Sequence, residues 1–487
     1  MSKKSLSKNS IFYLIYTVLN VLFPFLTGVY VARVLLPDAI GEVAYAQNIA
    51  QYFVVFAFLG LPTYGLREIA KARDDKQELN KLYSELLSIN LISTTIFLSI
   101  YLILIFSIPR FSANLSLYFI VGISIALNFF NNSWLYEGLE EFKFISIRNI
   151  IFKLISFACL VIFVRAQDDY LIYAAISVIG TAGNYLLNII QSRKYVKFQF
   201  KGLRLGRHMK PILYLVAVNL AIEIYTMVDT TMLGIFSSNE NVAFYTYGSK
   251  IYKILLQIVN TFTVVVVPRL SALYKEGRLD EYNAILTKTL KVILLLAIPM
   301  IVGMQFVANY LVCAIYGDAY INSAYVLRIL CFILVISPIG YLLGSRVLLI
   351  AGKEKMMLIA VGSGAILNVI GNALMIPYYG EYGAAIASVV SEIAVMIIYV
   401  CMGKKYFRLG RWWDTALKVG GTALMMAGYL VACMFIPLPD WAVCVLQIVG
   451  AVLLYILGMI ITKETMMTSV VRKIIGRFKK HERTNIE

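Results

Sequence analysis

Between Asn219 and Thr261 the chain sets two acids, Glu223 and Asp229, and two lysines, Lys250 and Lys253, among apolar residues. Read as two helices joined by the short polar loop Ser237 to Asn241, the stretch is a hairpin with charges at membrane depth, where charge is costly and marks ion paths, ligand counter-charges or gates. Asn219, Glu223, Thr226 and Thr230 recur at spacings of four, three and four and so share one helix face, with Asp229 at its edge. Lys250, Lys253, Gln257, Asn260 and Thr261 fall in an arc of roughly 100° on the second helix, a basic polar stripe on an otherwise apolar surface. Lipid cannot face such a stripe, so it must meet a protein neighbour or a water-filled cavity.

The rest of the chain must position that hairpin, and its composition says in what medium. Of 487 residues, 60% are hydrophobic and only 15% charged, with a mean hydropathy of +0.78, whereas soluble domains carry roughly 25% charged residues. This is the composition of a polytopic membrane protein. The formal charge of +17 raises nucleic acid as a partner, but basic residues in a membrane chain set topology, and their placement here excludes nucleic acid. Six scattered cysteines form no CxxC pair, and the two histidines, His208 and His481, lie in a basic loop and in the tail. Neither a His-based catalytic triad nor a clustered His metal site can be assembled, so no catalytic residue, metal or cofactor is expected. The apolar run after MSKKSLSKNS is too long for a signal peptide and lacks a small-residue cleavage site; it is read as a first transmembrane helix.

With about 20 apolar residues needed per span, the sequence predicts about fourteen transmembrane helices. They run approximately over 11–36, 42–63, 83–108, 114–136, 145–165, 169–191, 211–236, 242–268, 284–313, 322–350, 356–377, 381–402, 414–436 and 441–462. Placing the N-terminus in the cytoplasm gathers nearly all loop lysines and arginines on one side, including Arg193 to Lys210, Lys404 to Arg411 and the tail. The opposite loops keep only Arg110 and Arg165, with Arg33 near the outer end of the first helix. Both termini are therefore expected inside a bacterial cytoplasmic membrane. The outer loops are short, so no external domain is expected.

A weak repeat appears at an offset of about 202, where Ile40 to Tyr45 falls on Val242 to Tyr247 and Asn48 and Gln51 fall on Lys250 and Lys253. Tyr173 to Ile176 resembles Gly383 to Ile386 at an offset near 210. The predicted architecture is all-α: two pseudo-symmetric six-helix halves around a central cavity plus two C-terminal helices. Its domains are residues 1–192 as the N-terminal half, 193–210 as a basic cytoplasmic linker attracted to anionic lipid, 211–403 as the C-terminal half, 404–462 as the two extra helices, and 463–487 as a basic cytoplasmic tail.

Several segments resemble the polysaccharide transport family, the oligosaccharide repeat-unit flippases of the multidrug/oligosaccharidyl-lipid/polysaccharide exporter superfamily. Tyr30 to Gly41 is similar to the family's ARxLGPxxFG, with Leu36 in place of a glycine. Leu66 to Ala70 looks like its REIA, and Asp229 to Gly234 followed by Val242 to Tyr245 resembles DxxxLGxF…VGxY. Leu367 to Ser388 is close to LNxxxNxxxIPxYGxxGAAIAT. The resemblance implies alternating access for an undecaprenyl-diphosphate-linked oligosaccharide, carried from the inner to the outer leaflet, with the polymerase and glycosyltransferases of the same pathway as possible partners beside the bilayer itself. Coupling to a proton or sodium gradient or to the membrane potential is an open expectation.

Such a substrate needs a path for sugars, a place for diphosphate and an opening for the lipid tail. Asn48, Gln51, Asn128, Asn132 and Gln257 are the candidate sugar-facing amides, because amides both donate and accept; the alternative is interhelical hydrogen bonding at about 0.6 kcal/mol per contact. Lys250, Lys253, Lys153, Arg346 and Arg33 are the candidate diphosphate cations. Asp229 is a gate or a counter-ion to Lys250 or Arg33. Glu223 and Glu392 are candidates for ion coupling, with a structural hydrogen bond as the alternative for Glu392. Asn368 and Asn372, among small residues, are read as close packing. A multidrug or cation antiporter and a peptidoglycan-precursor flippase share the expected fold. A membrane glycosyltransferase would need an acid in a sizeable external loop, which this chain lacks.

Overall fold

The computed structural model describes Asn20, residues 22–466 and Thr468, with the backbone alone over residues 214–222 and at Ile224. Among the described residues every regular element is a helix, and 11 helical stretches are long and apolar enough to cross a bilayer. This is the all-helical membrane architecture that the apolar runs predict. Of the expected spans, the first, 11–36, lies partly outside the described residues, with Leu22–Val34 as its described helix. The seventh corresponds to the Gly206–Phe236 helix. The eleventh and twelfth join in one long helical element, Glu354–Gly403, kinked at Gly380 with φ 52° and ψ −129°. The outer loop expected at this point is thus a kink, at a residue type that takes positive φ without Cβ strain.

The chain divides into two compact units, Met1–Thr246 and Tyr247–Glu487. In the first, Pro37 opens the Pro37–Phe58 helix after an extended Leu36, a position where its missing N–H costs nothing. Leu59 and Gly60 turn left-handed and hand the chain to Leu61–Ala72. The Asp75 carboxylate caps Lys76–Ser107 by accepting from the N–H groups of Gln77 and Glu78 at 2.9 and 3.1 Å. At 1.5 Å per residue this helix is about 48 Å long, well beyond a 30 Å hydrocarbon core, so its first turns stand outside the membrane. Around those turns sits a core of Leu82, Tyr83, Leu86, Trp134 and Tyr136.

Without a hydrophobic force between helices in lipid, close approach at small residues becomes decisive. A Cβ on Gly41 would lie 1.7 Å from the Asn239 carbonyl oxygen, and one on Gly234 would lie 2.1 Å from the Tyr45 ring. Arg110 closes the same corner: its guanidinium sits 4.5 Å over the Tyr45 ring and donates to the Gly234 carbonyl and to Asn239 Oδ1. The glycines of the first hairpin and of the Asp229 to Gly234 segment are therefore contact points.

In the second unit, Leu279–Tyr316 is the helix on which Trp413–Cys433 and Asp440–Ile461 pack. Their shared core includes Leu295, Val419, Met426 and Leu430, and the Tyr455 hydroxyl donates to the Leu295 carbonyl at 2.8 Å. The two extra C-terminal helices are thus integral to this unit. A π-helical stretch, Tyr341–Arg346, interrupts the run from Ile333 to Ile350. There Gly344 lets the chain approach Tyr399, whose Cβ would lie 2.0 Å from an added Cβ.

Candidate functional site

In the first unit a polar network links Pro37–Phe58 with the hairpin around Ser237. Asp229, only 7% exposed, accepts a hydrogen bond from the Tyr245 hydroxyl. Two residues on, Thr231 Oγ1 meets Asn48 Nδ2 at 2.7 Å and the Tyr52 hydroxyl at 3.0 Å, while Asn48 also reaches the Met227 carbonyl at 3.3 Å. The Tyr52 phenol lies within electrostatic reach of Asp229. A buried carboxylate held by a hydroxyl in this way is stronger than a neutral pair. Asn48 spends its amide N–H groups on the neighbouring helix, whereas Gln51, one turn on, is exposed.

In the second unit Lys250 sits 4.4 Å from the centre of the Tyr247 ring. Tyr247 is fully buried and packs edge-on against Tyr316 at 4.5 Å and with a tilted ring against Tyr320 at 5.0 Å. Desolvated cation–π contacts contribute about 2 kcal/mol, so this aromatic seat holds an ammonium that lipid would reject. Lys253 and Gln257, continuing the stripe, are exposed. Arg346 lies at the end of the π-helical stretch, 5.9 Å from the Tyr341 ring, and its Nε is buried without a hydrogen-bond partner. The Tyr341 and Tyr399 phenols both feel Arg346 and Glu392, so those two charges share one neighbourhood.

The remaining candidates divide by surroundings. Lys153 donates to Asn20 Oδ1, while Arg33 and Glu223 are exposed. Asn128 and Asn132 are buried, and Asn132 donates to the Tyr83 hydroxyl at 2.9 Å beside Trp134. Asn368 and Asn372 are buried and bonded to each other at 3.3 Å, the packing role their small-residue setting predicts.

Sequence reasoning missed one charged centre. Glu85 is fully buried and accepts from the Arg204 N–H at 2.7 Å, Arg207 at 2.6 and 2.8 Å, and His208 Nε2 at 2.8 Å. His208 Nδ1 meets the Tyr64 hydroxyl at 2.8 Å. A carboxylate only accepts, so Nε2 carries the proton toward Glu85. The linker is fastened further along the same helix, where Asn80 Oδ1 accepts from the Lys197 N–H and Ser84 Oγ from the Gln199 N–H, both at 2.8 Å. The second unit repeats the device: Asn283 Oδ1 accepts from the Arg408 N–H at 2.8 Å and Thr287 Oγ1 from the Gly410 N–H at 2.9 Å. Even the hydroxyl's own bond recurs, Ser84 to the Asn80 carbonyl and Thr287 to the Asn283 carbonyl. The acceptors are offset by about 203 and the donors by about 211, the same drift that the weak sequence repeat shows. The signal available in the sequence was the pair Asn80/Ser84 against Asn283/Thr287.

The sequence profile of the family described as "Polysaccharide biosynthesis protein" matches residues 6–274, more than half of the chain. The chain belongs to that family. A second profile, MatE, matches residues 215–374. A protein of Escherichia coli (strain K12) assigned as an O-antigen transporter is 24% identical over 414 residues, 82% of this chain and 97% of that one. The capsular polysaccharide biosynthesis protein CapF of Staphylococcus aureus is 22% identical over 418 residues, 82% of this chain and 100% of that one. The fold is similar to that of the lipid II flippase MurJ in an inward closed conformation, with a TM-score of 0.76 at 16% identity, covering 94% of this chain and 100% of that one. The family and these relatives place the chain among the transporters of the multidrug/oligosaccharidyl-lipid/polysaccharide exporter superfamily, as a multi-span flippase and not an enzyme. Within the family pattern, Gly41, Gly234 and Asn368 are packing positions, and Asp229 is a buried acid hydrogen-bonded to Tyr245.

Proposed function

We propose that this transporter moves undecaprenyl-diphosphate-linked oligosaccharide repeat units from the cytoplasmic to the outer leaflet of a bacterial plasma membrane by alternating access, for cell-surface polysaccharide assembly. Family membership supports the substrate class, and the observation that carries the reading is Lys250 on its tyrosine seat, with Lys253 one turn on. Two ammonium groups on one helix face suit a diphosphate, whose charge needs several positive donors away from water. Exposed amides such as Gln51 and Gln257 suit sugar hydroxyls. Both termini are cytoplasmic by the charge asymmetry of the loops, and the polymerase and glycosyltransferases of the pathway are the expected partners. Glu223 and Glu392 are the groups through which proton or sodium coupling would act, with Asp229 as gate or counter-ion. Export of cationic drugs fits less well, because a lysine pair repels such cargo.

The test is complementation of a flippase-null strain. Lys250→Ala/Lys253→Ala should reach the membrane at wild-type level yet fail to restore surface polymer, with lipid-linked repeat units accumulating inside. Normal polymer output from the double variant would refute the assignment.

A further inference from the structure

The two fastened loops differ in what lies beside them. In the first unit, Glu85 follows Ser84 and is filled by the chain's own Arg207 and His208. The register position in the second unit, one past Thr287, is Lys288. Lys291 lies on the same helix face one turn later, and the fastened loop adds Arg408 and Arg411. These four cations line one cavity of about 920 Å³, in which Asp280 is the single acid. Among the described residues none of the four makes an ion pair. The hydrogen bonds from the Arg408 and Gly410 N–H groups fix the loop against Asn283 and Thr287, so the loop that carries the two arginines is held beside the helix that carries the two lysines. Where one copy of the repeat closes on an internal acid, the other presents an open cluster of opposite sign.

We propose that this cavity is a binding site for a phosphate-bearing headgroup. Arginine forks match phosphate oxygens in two-point contacts, and lysines add point charge. The volume is that of a site for a molecule rather than a single ion. Leu279–Tyr316, at 1.5 Å per residue about 57 Å long, carries these residues in its first turns, outside the hydrocarbon. The loop charges assign that end to the cytoplasmic side, where anionic lipid headgroups gather. A phospholipid headgroup and a free or lipid-linked diphosphate share the required chemistry. The site stands apart from the Lys250 stripe and does not depend on the flippase assignment.

The full-length protein in neutral detergent should bind inorganic diphosphate, short-chain phosphatidylglycerol or both, and not short-chain phosphatidylcholine, in a titration read by microscale thermophoresis. Binding of phosphatidylglycerol alone identifies a structural lipid, and binding of diphosphate alone identifies a soluble or substrate-borne phosphate. Neutralising the cluster (Lys288→Gln, Lys291→Gln, Arg408→Gln, Arg411→Gln) should weaken binding by at least about tenfold, since charge-assisted contacts are lost. The exposed single change Lys288→Glu, which restores the sign found at Glu85, should also weaken it while the protein stays monodisperse. The same number of neutralisations at exposed lysines outside both linkers, Lys71, Lys76, Lys353 and Lys355, should leave affinity unchanged. Equal loss in that control, or no binding of either anion, overturns the site.

Discussion

Glu85→Ala is the sharpest test of how the linker is held. The substitution removes an acceptor with no solvent exposure that gathers four hydrogen bonds from three residues. It leaves the Arg204 N–H and the buried His208 Nε2–H without their partner, at about 1–3 kcal/mol for each unsatisfied buried donor. Arg207 contributes less, because its side chain is 37% exposed and keeps Glu78 at 2.9 Å, so its share is that of a partly screened pair, up to about 1 kcal/mol. The expected loss is therefore about 2–7 kcal/mol, a span that includes the roughly 3–5 kcal/mol typical of removing one partner from a buried charged cluster. In detergent the apparent Tm should drop by several degrees, and protease sites in 193–210 should open first. Glu85→Gln, which keeps one acceptor oxygen, should lose less. Lys288→Ala, at the matching position of the second unit, should be neutral or slightly stabilising, because it relieves like-charge crowding. A Glu85→Ala protein with unchanged Tm and an uncut linker would refute the reasoning.

Two further outcomes follow from the first unit. Tyr245→Phe and Asp229→Asn should each destabilise, and their double variant should cost less than the sum, with a coupling of about 1–3 kcal/mol in a thermal-shift cycle; additive effects would dissolve the pair. Gly41→Ala should lower yield and Tm by an overpacking cost of about 1–3 kcal/mol, because its Cβ would fall on the Asn239 carbonyl, whereas Gly362→Ala, with nothing within 4 Å, should not.

The spans were legible because apolar runs of membrane length admit one reading, and helix ends followed from residues such as Pro37 and Asp75. The kink at Gly380 was not, since Pro377, Gly380 and Gly383 in so polar a context read equally well as a turn. Side-chain destinations were the weakest inference. Periodicity puts Asn48 and Gln51 on one stripe, yet Asn48 bonds to Thr231 and Gln51 is exposed, because a stripe tells which face is polar and not which neighbour is within reach. Glu85 escaped notice for a similar reason: its partners lie more than a hundred residues away.

The repeat gains its force from bonds and not from resemblance. Apolar sequence matches apolar sequence by composition alone, so an offset of about 202 between membrane helices proves little. A side-chain amide and a hydroxyl four residues later, each capping a specific backbone N–H in the loop after the sixth helix of its half, do not arise from composition. Nor does the mismatch in offset between acceptors and donors, which both comparisons share. Asn and Ser or Thr keep the loop in place in both units, while the residue after the hydroxyl differs: Glu85 adds its own bonds to the first linker, and Lys288 stands at the matching position of the second unit. The two units thus share the fastening and differ in the charge beside it.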